Sequence, residues 1–98
     1  MQLNTFMKDF SKYSAIIIGA GDATGAALTK KFASKGYKVC PARRSRNIEK
    51  VNKLADDIND SGGRAKGYGV DARDEDEIAK FFKEVEEEVA PIDVVIFN

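Results

Sequence analysis

From Ala15 onward the chain alternates between two hydrophobic rhythms. Ala15-Ile-Ile-Ile18 is a short, unbroken β-branched run, the pattern of a strand buried on both faces. It leads through Gly19-Ala-Gly21 into a helical stretch in which Leu28 and Phe32 lie one turn apart. Gly36 is placed to close that helix as its C′ residue. Lys38 to Ala42 predicts a second strand. Ile48, Val51, Leu54 and Ile58 mark the apolar face of a helix from about Asn47 to Asn59, ended by Gly62-Gly63. Ala65 to Val70 predicts a third strand, weakened by Gly67 and Gly69. Asp74 then predicts an N-cap, with Glu77 at N3 completing a capping box. Ile78, Phe81, Phe82, Val85 and Val89 line the buried side of this third helix, Pro91 follows it, and Val94-Val-Ile-Phe97 predicts a fourth strand.

The order β-α-β-α-β-α-β, with no internal repeat and no linker, defines an α/β chain with a parallel sheet. Pro41 falls inside a strand expected to be interior, where a missing N–H is costly. Either that strand ends at Cys40 or it carries a local bulge. A fourth strand one residue from Asn98 leaves an apolar edge, which predicts the first half of a larger domain and self-association through that strand. Residues 15–98 form this half-domain. Residues 1–14 read as a lead-in that packs on it, with Leu3, Phe6, Met7 and Phe10 at helical spacing.

Composition narrows the chemistry. The 98 residues contain no histidine, which excludes Ser-His-Asp and Cys-His nucleophiles and His-ligated zinc. Cys40 is the single cysteine, so there is no internal disulfide and no cysteine metal cluster, and it reads as a small buried hydrophobe. The longest apolar run, Ala15 to Ala20, is too short to cross a bilayer. The start has no basic n-region or apolar h-region, and no arginine precedes Arg43, so a cytoplasmic location is expected. A net charge of zero hides an asymmetry. Residues 1–46 hold nine Lys and Arg against Asp9 and Asp22, a balance of +7, and residues 47–98 balance at −7. A basic half suits an anionic ligand such as a phosphate, or is a polarised solvated surface. There is no basic stripe interleaved with aromatics, so nucleic acid is not an expected partner.

Gly19-x-Gly21-x-x-x-Gly25 follows a strand and opens a helix. In that context Gly19 permits the tight turn, a small residue further on admits a pyrophosphate to the backbone, and Gly25 lets helix and strand pack closely. The amides at the helix start face the phosphates, aided by the helix dipole. The bland alternative is a strand-to-helix turn that needs glycines for geometry alone. At the end of the second strand a carboxylate would hold the ribose hydroxyls of NAD. Arg43-Arg44 stand there instead, Arg43 eighteen residues after Gly25, and two guanidiniums suit a 2′-phosphate. NADP is therefore expected over NAD, unless these arginines simply point to water.

Together, Gly19-Ala-Gly-Asp-Ala-Thr-Gly25, Ala42-Arg-Arg44, Val70-Asp-Ala72 and Ile92-Asp-Val-Val-Ile-Phe-Asn98 resemble the short-chain dehydrogenase/reductase family. Asp9-Phe-Ser-Lys-Tyr13 is similar to the segment before that family's first strand. The resemblance spans nearly the whole chain and implies the first half of a Rossmann-type doubly wound sheet. It implies a nucleotide site at Gly19, Gly21, Asp22, Ala23, Thr24, Gly25, Arg43, Arg44, Asp71, Ala72 and Asn98. In that site Asp71 would meet the adenine and Ala72 would approach it by its backbone. Alternatively, Asp71 merely caps the turn toward Asp74.

Three positions depart from the family pattern. Ala23 replaces a glycine, Asp22 puts a carboxylate where pyrophosphate is expected, and Phe97 replaces the first asparagine before Asn98. The resemblance also implies hydride transfer between a nicotinamide and a carbonyl or alcohol, through a tyrosine with a lysine four residues later and a serine. Tyr13, Tyr37 and Tyr68 are followed at that spacing by Ile17, Pro41 and Ala72, so no catalytic residue is assigned. Three possibilities stand: the NADP(H)-binding portion of an oxidoreductase whose catalytic half lies elsewhere, a nucleotide-binding module without chemistry, and a non-binding remnant of the fold. A small-molecule substrate belongs only to the first.

Overall fold

The computed structural model describes residues 8–98. Leu3, Phe6 and Met7 of the expected lead-in lie outside the described residues, while Phe10 packs on the domain with its ring centroid 4.9 Å from that of Tyr37. A 3-10 turn, Phe10–Lys12, capped by the Asp9 carboxylate, leads into strand β1, Ser14–Ile18. Helix α1 (Ala23–Ser34), strand β2 (Lys38–Arg43) and helix α2 (Ile48–Asp60) follow. Two short strands, β3 (Arg64–Ala65) and β4 (Tyr68–Gly69), precede helix α3 (Glu75–Glu88) and strand β5 (Ile92–Phe97).

Every pairing is parallel, and the order is β3-β2-β1-β5, with β4 beside β3 on the same flank of β2. Alternation along the central strands sends side chains to opposite faces. Ala15, Ile17 and Val39 pack with Val51, Leu54 and Ile58 of α2 and with Phe32 of α1. Ile16, Ile18, Cys40 and Ala42 pack with Phe81 and Val85 of α3. β1 is buried along its whole length, so its unbroken apolar run is the consequence of helices on both faces.

Helix ends follow local chemistry. Gly36 donates its N–H to the Ala33 carbonyl and Tyr37 to that of Phe32, a Schellman closure whose apolar contact is the Phe32–Tyr37 ring pair. Asp74 caps α3 by accepting from the Asp76 and Glu77 amides. The reciprocal half of the expected capping box is absent. The Asp74 N–H goes to the Asp71 carbonyl, and the Glu77 carboxylate instead accepts from the Asp71 amide at 3.3 Å.

The third strand is two pieces rather than one, and β2 neither stops at Cys40 nor bulges at Pro41. Pro41 is fully buried and stays in register opposite Ile17. Because Val39 faces Ala65 and Ala42 faces Tyr68, Pro41 faces Gly67, on the flank where β3 ends and β4 has not begun. The N–H that proline lacks would have bonded the Lys66 carbonyl. The gap between β3 and β4 thus falls where β2 has no N–H to offer.

β5 pairs only with β1 among the described residues, and Val95 and Phe97 are 38% and 63% exposed along it. No helix among the described residues is long and apolar enough to cross a membrane.

Candidate nucleotide-binding site

The carboxyl ends of β1, β2, β4 and β5 meet at one edge of the sheet. β1 ends in a glycine turn that swings the chain onto the face where α1 lies. Gly19 has φ +86°, open to glycine at little cost, and its N–H and that of Ala20 both donate to the Ala42 carbonyl, at 2.8 and 3.1 Å. This pins the turn to β2. Gly25 is buried beneath it, and a Cβ there would lie 2.6 Å from the Gly19 carbonyl oxygen and 2.7 Å from Ala20 Cα. Close packing of helix on strand is therefore its role, as its place in the motif predicts.

Asp22 is the N-cap of α1 and accepts from the Gly25 amide at 2.7 Å. Asn98 at the end of β5 donates its side-chain amide to the Gly19 carbonyl at 3.0 Å and to the Asp22 carboxylate, while its backbone N–H extends the β5 ladder to Ile18. Ala23 and Thr24, the exposed first two residues of α1, carry amides with no intrahelical partner.

Arg43 ends β2 and folds its side chain across the turn, close enough to Gly21 that a Cβ there would lie 2.4 Å from Arg43 Cδ. Arg44 is exposed beside it. Neither arginine forms an ion pair with a carboxylate among the described residues. Asp71 sits just beyond β4 and accepts from the Arg73 backbone N–H at 2.9 Å and from two guanidinium nitrogens at 3.1 and 3.0 Å. These hydrogen bonds, with the charges of Arg73 and Arg44 behind them, hold the Asp71 carboxyl down to about 2. The Asp71 backbone carbonyl also accepts from the Asp74 N–H at 3.0 Å, closing the turn that leads to α3.

A cleft of about 270 Å³ brings together Gly19, Arg43, Arg44, Asp71, Ala72 and Asn98, with Ile18 and Phe97 as its apolar wall. Gly21, Asp22, Ala23, Thr24 and Gly25 build the turn beside it rather than the cleft itself. Arg73 also lines the cleft and was not among the expected residues. Its signal in the sequence was the spacing Asp-x-Arg in a turn, which lets a carboxylate grip the amide and the guanidinium two residues on. A larger groove of about 700 Å³, between the C-terminal ends of α1 and α2, contains none of these residues.

The tyrosines are engaged elsewhere. The Tyr37 hydroxyl donates to Asp93, which pushes its ionisation up to about 12, and burial raises that of Tyr68. Burial likewise pushes the Cys40 thiol up to about 12, which leaves it unreactive as a nucleophile.

A parallel sheet of this order, with a glycine turn at the carboxyl end of its first strand, is the doubly wound dinucleotide-fold architecture. The chain belongs to the short chain dehydrogenase family, whose model matches residues 13–98. It is similar to a short-chain dehydrogenase from Rhodopseudomonas palustris, at 41% identity and a TM-score of 0.81 over 89% of this chain and 40% of that one. It is similar to a metagenomic short-chain oxidoreductase in complex with NADP, at 30% identity and a TM-score of 0.80 over 90% of this chain and 39% of that one. It is also similar to a proposed D-mannonate oxidoreductase from Haemophilus influenza with bound NAD, at 27% identity and a TM-score of 0.77 over 86% of this chain and 29% of that one. The chain thus spans two fifths or less of each of these proteins. Of these three, the metagenomic oxidoreductase holds NADP and the Haemophilus influenza protein holds NAD.

Proposed function

We propose that this chain is the NADP(H)-binding portion of a short-chain dehydrogenase acting on a carbonyl or alcohol substrate in the cytoplasm. The observation that carries this reading is the pair Arg43 and Arg44 at the end of β2, in the cleft beside the glycine turn and without carboxylate partners among the described residues. The residues fit the group. Arg43 and Arg44 would hold the 2′-phosphate, and the amides of Ala23 and Thr24 would face the pyrophosphate. Asp71 and Ala72 would border the adenine, and Asn98 would keep the turn in place. A bound nicotinamide would supply hydride transfer. A tyrosine with a lysine four residues later is not among these 98 residues, so the acid/base step of that chemistry needs residues beyond them.

Titration of the chain with NADPH and NADH by calorimetry tests this. NADPH should bind more tightly, and Arg43→Ala/Arg44→Ala should weaken it at least about tenfold while changing NADH less than about twofold. Equal losses for both nucleotides would refute the 2′-phosphate assignment.

A second reading, a fold that binds no nucleotide, is favoured by one observation: the Asp22 carboxylate occupies the Gly25 amide at the mouth of α1. Absence of heat with either nucleotide would favour it.

A further inference from the structure

We propose that Gly21 is a specificity-determining residue, because its missing side chain is the seat on which Arg43 lies across the turn. The inference rests on the NADP(H) reading above and deepens it.

Gly21 is not required by backbone conformation, since its φ is not positive. Space is what demands glycine. A Cβ at this position would fall 2.4 Å from Arg43 Cδ, 2.8 Å from one guanidinium nitrogen and 3.3 Å from Nε. The three nearest atoms all belong to this one flexible side chain, so it is Arg43 that a methyl group here displaces first. Gly25 is the contrast, because a Cβ there meets the backbone of Gly19 and Ala20. The Arg43 backbone cannot follow its side chain, as its carbonyl is tied to the Val70 amide at 2.7 Å. Without its seat, the guanidinium must leave the turn by rotating outward. Arg44 has no such seat and stays exposed. The identity of residue 21 therefore sets whether one or two guanidiniums stand at the phosphate position.

The test is calorimetry of the full chain with NADPH, NADH and 2′-AMP, for wild type, Gly21→Ala, Arg43→Ala and the double variant, with circular dichroism to verify folding. Gly21→Ala should lower affinity for NADPH and 2′-AMP about tenfold with NADH within about twofold, and should add nothing further in the Arg43→Ala background. An equal loss for NADH and NADPH would overturn the inference, since Gly21 would then serve pyrophosphate approach. No change in either nucleotide would overturn it too. Wild type without any NADPH preference would mark failure of the NADP(H) reading itself, and the seat would fall with it.

Discussion

The side-chain amide of Asn98 reaches the carboxylate of Asp22, at 3.1 Å to one oxygen and 3.3 Å to the other. The two residues are 76 positions apart, and their contact joins the end of β5 to the cap of α1 over the glycine turn. Asp22 thereby has two tasks, as acceptor for Gly25 and as partner for Asn98. A carboxylate near the mouth of a helix is locally stabilising but opposes an incoming phosphate.

Asp22→Ala should therefore lower stability by about 1 kcal/mol through loss of the cap. Asp22→Asn keeps an acceptor while removing charge, so it should cost only a few tenths of that and should tighten NADPH binding. Urea denaturation and calorimetry check the pair. Weaker NADPH binding by Asp22→Asn would show that the charge does not oppose the nucleotide.

Gly25→Ala should destabilise by more than about 2 kcal/mol, because a new methyl meets the Gly19 carbonyl and the Ala20 backbone in a site that cannot relax. Gly62→Ala is the control. That residue has φ +94° and, among the described residues, nothing within 4 Å of an added Cβ, so conformational strain of about 1–2 kcal/mol is the expected cost. Thermal unfolding of both variants separates crowding from strain.

Asp71 should titrate near pH 2, and Arg73→Ala should return it toward 3.8, as read by carboxyl NMR shifts against pH. Its folded value lies below its unfolded one. Its contribution to stability is therefore full above about pH 4 and is lost as the pH falls toward the folded value. Arg73→Ala should flatten stability against pH in that window. An unchanged slope would show that the Arg73 contact is lost to solvent.

Pro41→Val supplies the missing N–H opposite Lys66. The amide at 41 should become protected from hydrogen exchange as β3 and β4 join into one strand. Overall stability should change by less than about 1 kcal/mol, because the new hydrogen bond is offset by the greater freedom of the unfolded chain. Rapid exchange at position 41 would show that the gap in the third strand has another cause.

Among the described residues the outer edge of β5 has no strand partner and lies beside exposed Val95 and Phe97, so the 98-residue chain should self-associate by sedimentation. Phe97→Lys should shift the distribution toward monomer, and a monodisperse wild type would contradict this.

Much of the architecture was legible because it is written in local chemistry. The apolar run of β1, the 3.6-residue stripe of α2 and the closing glycines each act within a few residues, so their meaning survives without knowledge of the neighbours. The glycine turn could be placed for the same reason, as could Asp74 as a cap. Pro41 could be flagged as a difficulty but not resolved, since its effect falls on a strand some 25 residues away.

What the sequence alone determined, then, is the order of strands and helices, the buried faces and the kinds of side chain delivered to the strand ends. Only the tertiary structure decided how those side chains engage one another: Asn98 with Asp22, Arg73 with Asp71, Arg43 over Gly21, and Glu77 turned away from its expected box. Periodicity and capping depend on backbone geometry within one or two turns, whereas these contacts depend on the parallel register that brings distant strand ends to one edge.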